Sequence, residues 1–99
     1  MSYTYRITKG SHATQVYLKL KDTNDEIFTF QLDYGLDNIT YIDIRHNNKW
    51  TNIPAFIDLS DEVKPLFILS AEYIITNLND YDHPVYKTAV KNLQDFIKN

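Results

Sequence analysis

The first 59 residues contain short runs in which apolar and polar residues alternate, separated by turns rich in Gly, Asn, Asp and Ser. Alternation with a period of two is typical of β-strands, whose successive side chains point to opposite faces of a sheet. The runs span residues 3–8, 14–21, 26–34, 39–45 and 53–59. Pro54 cannot donate to a ladder, so the last run is expected at a sheet edge. Connections this short predict an antiparallel meander.

The rest of the chain changes to a helical period. Residues 63–78 place apolar side chains at helical spacing. Ser60 is positioned to cap this helix, while Pro65 favours a regular helix that starts only near Lys64. Residues 84–97 repeat the helical pattern and begin on a proline, which suits a first turn. The prediction is an α+β fold in a single domain, residues 1–99: a four- or five-stranded antiparallel sheet followed by two C-terminal helices packed on one face.

The alternation also predicts which side chains point away from the helices. In the third run Phe28 and Phe30 are expected inside, and Ile27, Thr29 and Asp33 outside. If the strands pair in register, the outer face carries aromatic and cationic side chains: Arg6, Tyr17, Lys19, Lys21, Tyr41 and Arg45. Single-stranded nucleic acids are bound by such faces, because bases stack on the rings while Lys and Arg follow the phosphates. The same residue types are also ordinary on the wet face of any antiparallel sheet.

No arrangement of residues in the sequence indicates catalysis, a metal site or a cofactor. The three histidines, His12, His46 and His83, are not spaced as metal ligands on a helix. Gly10 and Gly35 stand alone, so there is no Gly-rich loop for a phosphate group. We therefore predict a binding protein that is not an enzyme and that uses no cofactor.

Composition and hydropathy predict where the protein works. Cysteine is absent, which is usual for a small domain in a reducing compartment. The longest apolar run, residues 66–69, is far shorter than the roughly 20 residues that span a bilayer. The N-terminal residues lack the apolar segment of a signal peptide. The prediction is a cytoplasmic protein without a membrane partner.

One stretch carries a resemblance to a known family. Residues 41–45, YIDIR, are followed by Trp50 and then by residues 56–62, FIDLSDE, which run into a helix. This part of the chain, about 41–78, resembles the positive cofactor four family of single-stranded-DNA-binding transcriptional coactivators. The resemblance implies a curved four-stranded antiparallel sheet with one helix, which forms a homodimer and grips single strands in basic channels.

The resemblance also implies site residues. Arg45 and Trp50 are the positions that carry over as nucleic-acid contacts. The chain departs from the family at residues 54–56, where Pro-Ala-Phe stands in place of Lys-Gly, and in its second helix from Pro84. The leading prediction is a homodimeric binder of single-stranded nucleic acid.

The distribution of charge supports a different prediction. Residues 22–62 hold nine acidic residues against two basic ones, although the net charge of the chain is only −3. The candidate contacts with a partner protein are Asp22, Asp25, Glu26, Asp33, Asp37 and Asp43. The abundance of Asn, Lys, Ile and Tyr is typical of AT-rich coding DNA, which is common in phages and mobile elements. The alternative is therefore a phage-type inhibitor of a host defence protein, anti-CRISPR or anti-restriction-like, that acts by protein contact or by DNA mimicry.

Overall fold

A computed structural model describes residues 2–9, 13–23, 25–35, 40–80 and 84–98. In these ranges one antiparallel sheet contains five strands in chain order: β1 (Ser2–Lys9), β2 (Ala13–Asp22), β3 (Asp25–Gly35), β4 (Thr40–His46) and β5 (Lys49–Asn52). The helices α1 (Lys64–Leu78) and α2 (Pro84–Lys98) follow. The predicted α+β meander with C-terminal helices is confirmed. Within the same ranges, no helix has both the length and the apolar character needed to cross a membrane.

The core lies between the sheet and the helices. Helix α1 packs over β2 and β3, and α2 packs over β3 and β4. Leu18, Phe30 and Ile44 lie side by side on these central strands and are buried. Phe67 of α1 is fully buried, and its ring centroid lies 4.9 Å from that of Phe30. The face of the sheet opposite α1 and α2 is called the open face below.

The edge beside β4 differs from the prediction. The run at 53–59, predicted as the edge strand, does not form one, and β5 takes that place within the segment predicted as a loose connection. Asn47 and Asn48 have φ values of 54° and 62°. Positive φ at both central residues is the geometry of a tight hairpin turn that matches the twist of its strands, and Asn tolerates it. This turn brings β5 back onto β4.

The predicted strand at 53–59 is wrong, because the ladder with β4 ends at Ile53. The Ile53 N–H donates to the Ile42 carbonyl at 2.8 Å, which continues the ladder by one bond. Because backbone groups alternate sides along a strand, Ala55 would be the next residue to bond to β4, but its carbonyl accepts from the Asp58 N–H at 3.1 Å instead. The chain then leaves the sheet and forms a 3₁₀ turn at Phe56–Asp58.

The start of α1 is partly as predicted. The helix begins at Lys64 with Pro65 in its first turn, where a missing N–H costs nothing. The predicted Ser60 cap is wrong, because Val63 occupies the cap position and no side chain caps the helix. The Ser60 carbonyl instead accepts from the N–H groups of Val63 and Lys64 at 3.1 and 3.0 Å. A turn therefore separates Ser60 from the helix.

A bulge changes the register between β2 and β3. Leu20 pairs with Phe28 but Lys21 pairs with Glu26, which leaves Ile27 as an extra residue on β3. Ile27, predicted outside, is half-buried against the core. Glu26 is carried onto the open face beside Lys21. The bulge therefore decides which charges share that face.

Candidate functional site

The register of the sheet places the predicted nucleic-acid contacts on the open face. Arg6 of β1 lies opposite Tyr17 of β2, and Arg45 of β4 lies opposite Trp50 of β5. The residues on this face are Arg6, Tyr17, Lys19, Lys21, Tyr41, Arg45 and Trp50. They fall into two groups, one on β1 and β2 and one on β4 and β5.

The first group surrounds a concavity of about 490 Å³ on β1 and β2. Its lining residues are Thr4, Tyr5, Arg6, Thr8, Gln15, Tyr17, Lys19 and Lys21, none of them acidic. The half-buried Tyr17 donates its hydroxyl to Oε1 of Gln15 at 3.4 Å, which helps to hold the ring in place. In the part of the chain that the structure describes, neither Arg6 nor Lys21 makes an ion pair. This concavity can therefore receive an anionic ligand with a flat apolar part.

No family model, curated protein or solved structure matches this chain. What the open face can bind therefore has to follow from its own charges, rings and hydrogen bonds.

Glu26 separates the first group of cations from the second. Its carboxylate lies 3.5 Å from Nζ of Lys19 and 3.5 Å from Nη1 of Arg45. The Thr29 hydroxyl donates to Oε1 of the same carboxylate. Nη2 of Arg45 also donates to Oδ1 of Asn48 at 3.1 Å. Lys19 and Arg45 are thus partly neutralised, whereas Arg6 and Lys21 make no ion pair with any residue that the structure describes.

The environment of Glu26 lowers its pKa below the ordinary value of 4.5. The hydrogen bond from Thr29 is the largest cause, and the positive charges of Lys19 and Arg45 act in the same direction, while burial opposes them. Thr29 faces the open side opposite Lys19 and Arg45, as predicted, but it is only 1% exposed. The buried Thr29 hydroxyl therefore anchors a small cluster of partly exposed charged side chains.

The second group presents large rings to solvent. Trp50 is 48% exposed and Tyr41 is 47% exposed. Asp43 lies between them on this part of the face and accepts from Nδ2 of Asn52 at 3.0 Å. Arg45, which pairs with Trp50, is held by Glu26. Aromatic rings beside a carboxylate make this half of the face less suited to phosphate than the concavity on β1 and β2.

The acids of the alternative prediction do not form one continuous surface. Asp22 and Asp25 oppose each other at the end of the β2–β3 hairpin. Asp33 and Asp43 lie on the open face, and Asp33 accepts from Nε2 of Gln31 at 2.9 Å. Glu26 lies among cations, and Asp37 lies outside the described residues. The open face therefore carries both signs of charge.

Sequence reasoning missed the residues that organise the site. Thr29 and Asn48 hold Glu26 and Arg45, and Gln15 holds Tyr17. The adjacent pair Asn47-Asn48 was the available signal for a tight turn. No signal in the sequence marks the bulge at Ile27.

The histidines do not add a metal site to this picture. Nε2 of His46 lies 3.8 Å from a Glu62 carboxylate oxygen, on the helix side of the sheet. Among residues 2–9, 13–23, 25–35, 40–80 and 84–98, no three His, Asp or Glu side chains are grouped so that they could hold a metal ion. His12 and His83 lie outside these ranges.

Replacing Glu26 by glutamine is expected to remove part of the acid sensitivity of the fold. Because the pKa of Glu26 is lowered in the folded state, its contacts stabilise the protein above the unfolded pKa near 4.5. That contribution is lost as the pH falls through the lower, folded pKa. Urea denaturation at pH 7 and pH 3 should show Glu26→Gln less stable than the wild type at pH 7, with a smaller difference between them at pH 3.

Glu72 supplies the matched control for this experiment. It is exposed on α1, and Glu72→Gln makes the same change of charge. Between pH 7 and pH 3, we expect Glu72→Gln to lose as much stability as the wild type loses. Identical pH dependence for Glu26→Gln and the wild type would contradict the role assigned to the Glu26 contacts.

Proposed function

We propose that this chain is a non-enzymatic protein that binds single-stranded nucleic acid through the concavity on β1 and β2. The observation that carries the proposal is that the Tyr17 ring lines the same concavity as Arg6, Lys19 and Lys21, and that none of its lining residues is acidic. A base can stack on the ring while the cations contact the phosphates on either side. The overall charge of −3 does not oppose this, since exposed charges farther away than a Debye length of about 8 Å are screened.

The resemblance to the positive cofactor four family belongs to the same proposal. Its two carried-over positions, Arg45 and Trp50, are direct neighbours on the open face. A nucleic-acid strand that runs from the concavity towards Arg45 and Trp50 has to pass Glu26. The primary contact is therefore on β1 and β2, and β4 and β5 extend the binding surface. A homodimer and a cytoplasmic location are further parts of this proposal.

Fluorescence polarisation with a labelled oligo-dT of 15 nucleotides tests it. Contacts from three cations predict a slope of log K against log salt of about −2, because each phosphate contact contributes about −0.7 with single strands. Affinity should therefore fall roughly 15- to 20-fold between 50 and 200 mM NaCl. An unchanged polarisation signal at low salt would remove the proposal.

Variants of Tyr17 separate stacking from charge in the same titration. Tyr17→Ala removes the ring and should weaken binding by about 5- to 150-fold, because stacking of one base is worth about 1–3 kcal/mol. Tyr17→Phe keeps the ring and loses only the hydroxyl that bonds Gln15. It should bind nearly as well as the wild type. Equal affinity for all three proteins would show that the ring is not a stacking platform.

A second candidate function is contact with a protein through β4 and β5. The observation that favours it is the pair of half-exposed rings of Tyr41 and Trp50, near Asp43. Trp, Tyr and Arg dominate the residues that contribute most to protein interfaces. A phage-encoded inhibitor of a host defence protein would use such a surface. Mimicry of DNA by the acids is less favoured, because Glu26, Asp33 and Asp43 are engaged with neighbouring side chains.

A further inference from the structure

In the part of the chain that the structure describes, β1 forms one edge of the sheet. Across the described ranges, no strand pairs with the side of β1 that faces away from β2. Ser2–Lys9 pairs with β2 in continuous register, without a bulge, and contains no proline. Edge strands are usually protected by short length, proline or bulges. The opposite edge has that protection, because β5 has four residues and Pro54 follows it closely.

The helix side of this edge is apolar and incompletely covered. Tyr3 is 37% exposed, and Tyr5 and Ile7 are half-buried. The ring of Tyr73 from α1 lies 5.2 Å from that of Tyr3 and 6.1 Å from that of Tyr5. Since α1 and α2 lie over β2, β3 and β4, these residues form the margin of the core. An added strand could cover them with alternate apolar side chains.

The open-face side of the same edge is basic. Arg6 is exposed on β1, and Lys21 lies one strand further in, on β2. As stated above, neither has an acidic partner in the described part of the chain. The side chains of an added strand alternate between the two faces of the sheet. Those that fall on this side would lie beside Arg6 and within reach of the lysines.

We propose that the edge of β1 accepts an extended segment of a partner protein in which acidic and apolar residues alternate. The backbone of the segment adds a strand to the sheet, its acids lie beside Arg6 on the open face, and its apolar residues cover Tyr3, Tyr5 and Ile7. Recognition of this kind takes affinity from the main chain and specificity from alternate side chains. A second copy of β1 fits less well, because self-pairing brings two Arg6 side chains onto one face, and neighbouring like charges destabilise a strand pair.

Two synthetic peptides test this inference. One alternates valine and glutamate over eight residues with blocked ends, and the other replaces glutamate by lysine. Fluorescence polarisation should show the glutamate peptide binding at least about 10-fold more tightly, a difference of 1.4 kcal/mol. Arg6→Glu should abolish or reverse this preference. Equal binding of the two peptides by the wild-type protein would overturn the proposed charge recognition.

Amide hydrogen exchange identifies the docking edge directly. Alternate backbone N–H groups of an edge strand point outward, so the glutamate peptide should slow the exchange of every second amide in β1. Protection elsewhere, or none in β1, would overturn the proposal. Protection of those amides without peptide, together with a dimer in sedimentation, would assign the edge to a second copy and overturn it as well.

The result is separable from the proposed function. Tyr17→Ala should weaken binding of oligo-dT and leave the preference for the glutamate peptide over the lysine peptide intact, because it removes no charge and no backbone group of β1. Peptide binding without any binding of oligo-dT would therefore refute the nucleic-acid function alone. The reverse outcome would refute only the strand addition.

Discussion

Phe67→Ala is expected to lower the free energy of unfolding by about 3–5 kcal/mol. The Phe67 ring is fully buried between the sheet and the helices. Its centroid lies 4.9 Å from that of Phe30, 5.8 Å from Phe56 and 5.7 Å from Phe96. Truncation leaves a cavity that β3, α1 and α2 cannot all close. Since domains are stable by roughly 5–15 kcal/mol in total, urea denaturation followed by circular dichroism should show a large change.

Ile57→Ala is the matched control for this loss. Ile57 is also a large apolar residue, but it is 73% exposed at the 3₁₀ turn. Its truncation should change the stability by no more than about 0.5 kcal/mol. If Phe67→Ala does not fold, Phe67→Leu keeps most of the volume and should still cost about 1–1.5 kcal/mol. Similar values for Ile57→Ala and the Phe67 variants would contradict the position of Phe67 in the core.

The strands that bury one face were predictable from the sequence. In β2, β3 and β4 the buried residues alternate with covered or exposed polar ones, and that pattern is visible in the chain itself. In β5 all residues from Lys49 to Asn52 are exposed. A strand without a buried face leaves no alternation to detect. Its pairing depends on the Asn47-Asn48 turn, and the apolar residues that follow gave a misleading strand pattern.

The same limit applies to the candidate site. Alternation was sufficient to group Arg6, Tyr17 and Lys19 on one face, because their strands pair in regular register. Strict alternation continued back from Phe28 would put Glu26 on the core side. The bulge at Ile27 reverses that assignment, and its cause lies in the pairing of β2 with β3 rather than in local sequence. The bulge at Ile27, which alternation does not predict, therefore decides which cations lie beside the Glu26 carboxylate.

The position of Glu26 also bears on the choice between the two functions. It reduces the positive charge at Lys19 and Arg45, which weakens the case for a phosphate path across the whole face. Arg6 and Lys21 remain available in the concavity that Tyr17 also lines. The half-exposed rings of Tyr41 and Trp50 lie beyond Glu26. Nucleic-acid binding would therefore use the half of the open face on β1 and β2, and protein contact the half on β4 and β5. Variants in one half test only the function assigned to that half.

Reversing both free cations, with Arg6→Glu and Lys21→Glu together, is expected to weaken binding of oligo-dT by at least 100-fold. Each charged contact is worth about 1.5–3 kcal/mol, and the new carboxylates repel the phosphates in addition. The salt slope should fall from about −2 to about −0.7, since only Lys19 remains. Fluorescence polarisation at several salt concentrations measures both quantities, and circular dichroism checks that the variant is folded.

The double variant Lys91→Glu and Lys98→Glu makes the same change in net charge on α2, where both lysines are exposed. Because α2 packs on the other face of the sheet, this variant should alter the affinity only about 2- to 3-fold at 0.15 M salt, where the Debye length is about 8 Å. Equal weakening by the two double variants would mean that binding follows net charge rather than the concavity.

If the wild type does not bind oligo-dT, and a stoichiometric partner recovered from host lysate is lost with Trp50→Ala, the functional surface lies on β4 and β5. Protein contact would then replace nucleic-acid binding as the function of the open face.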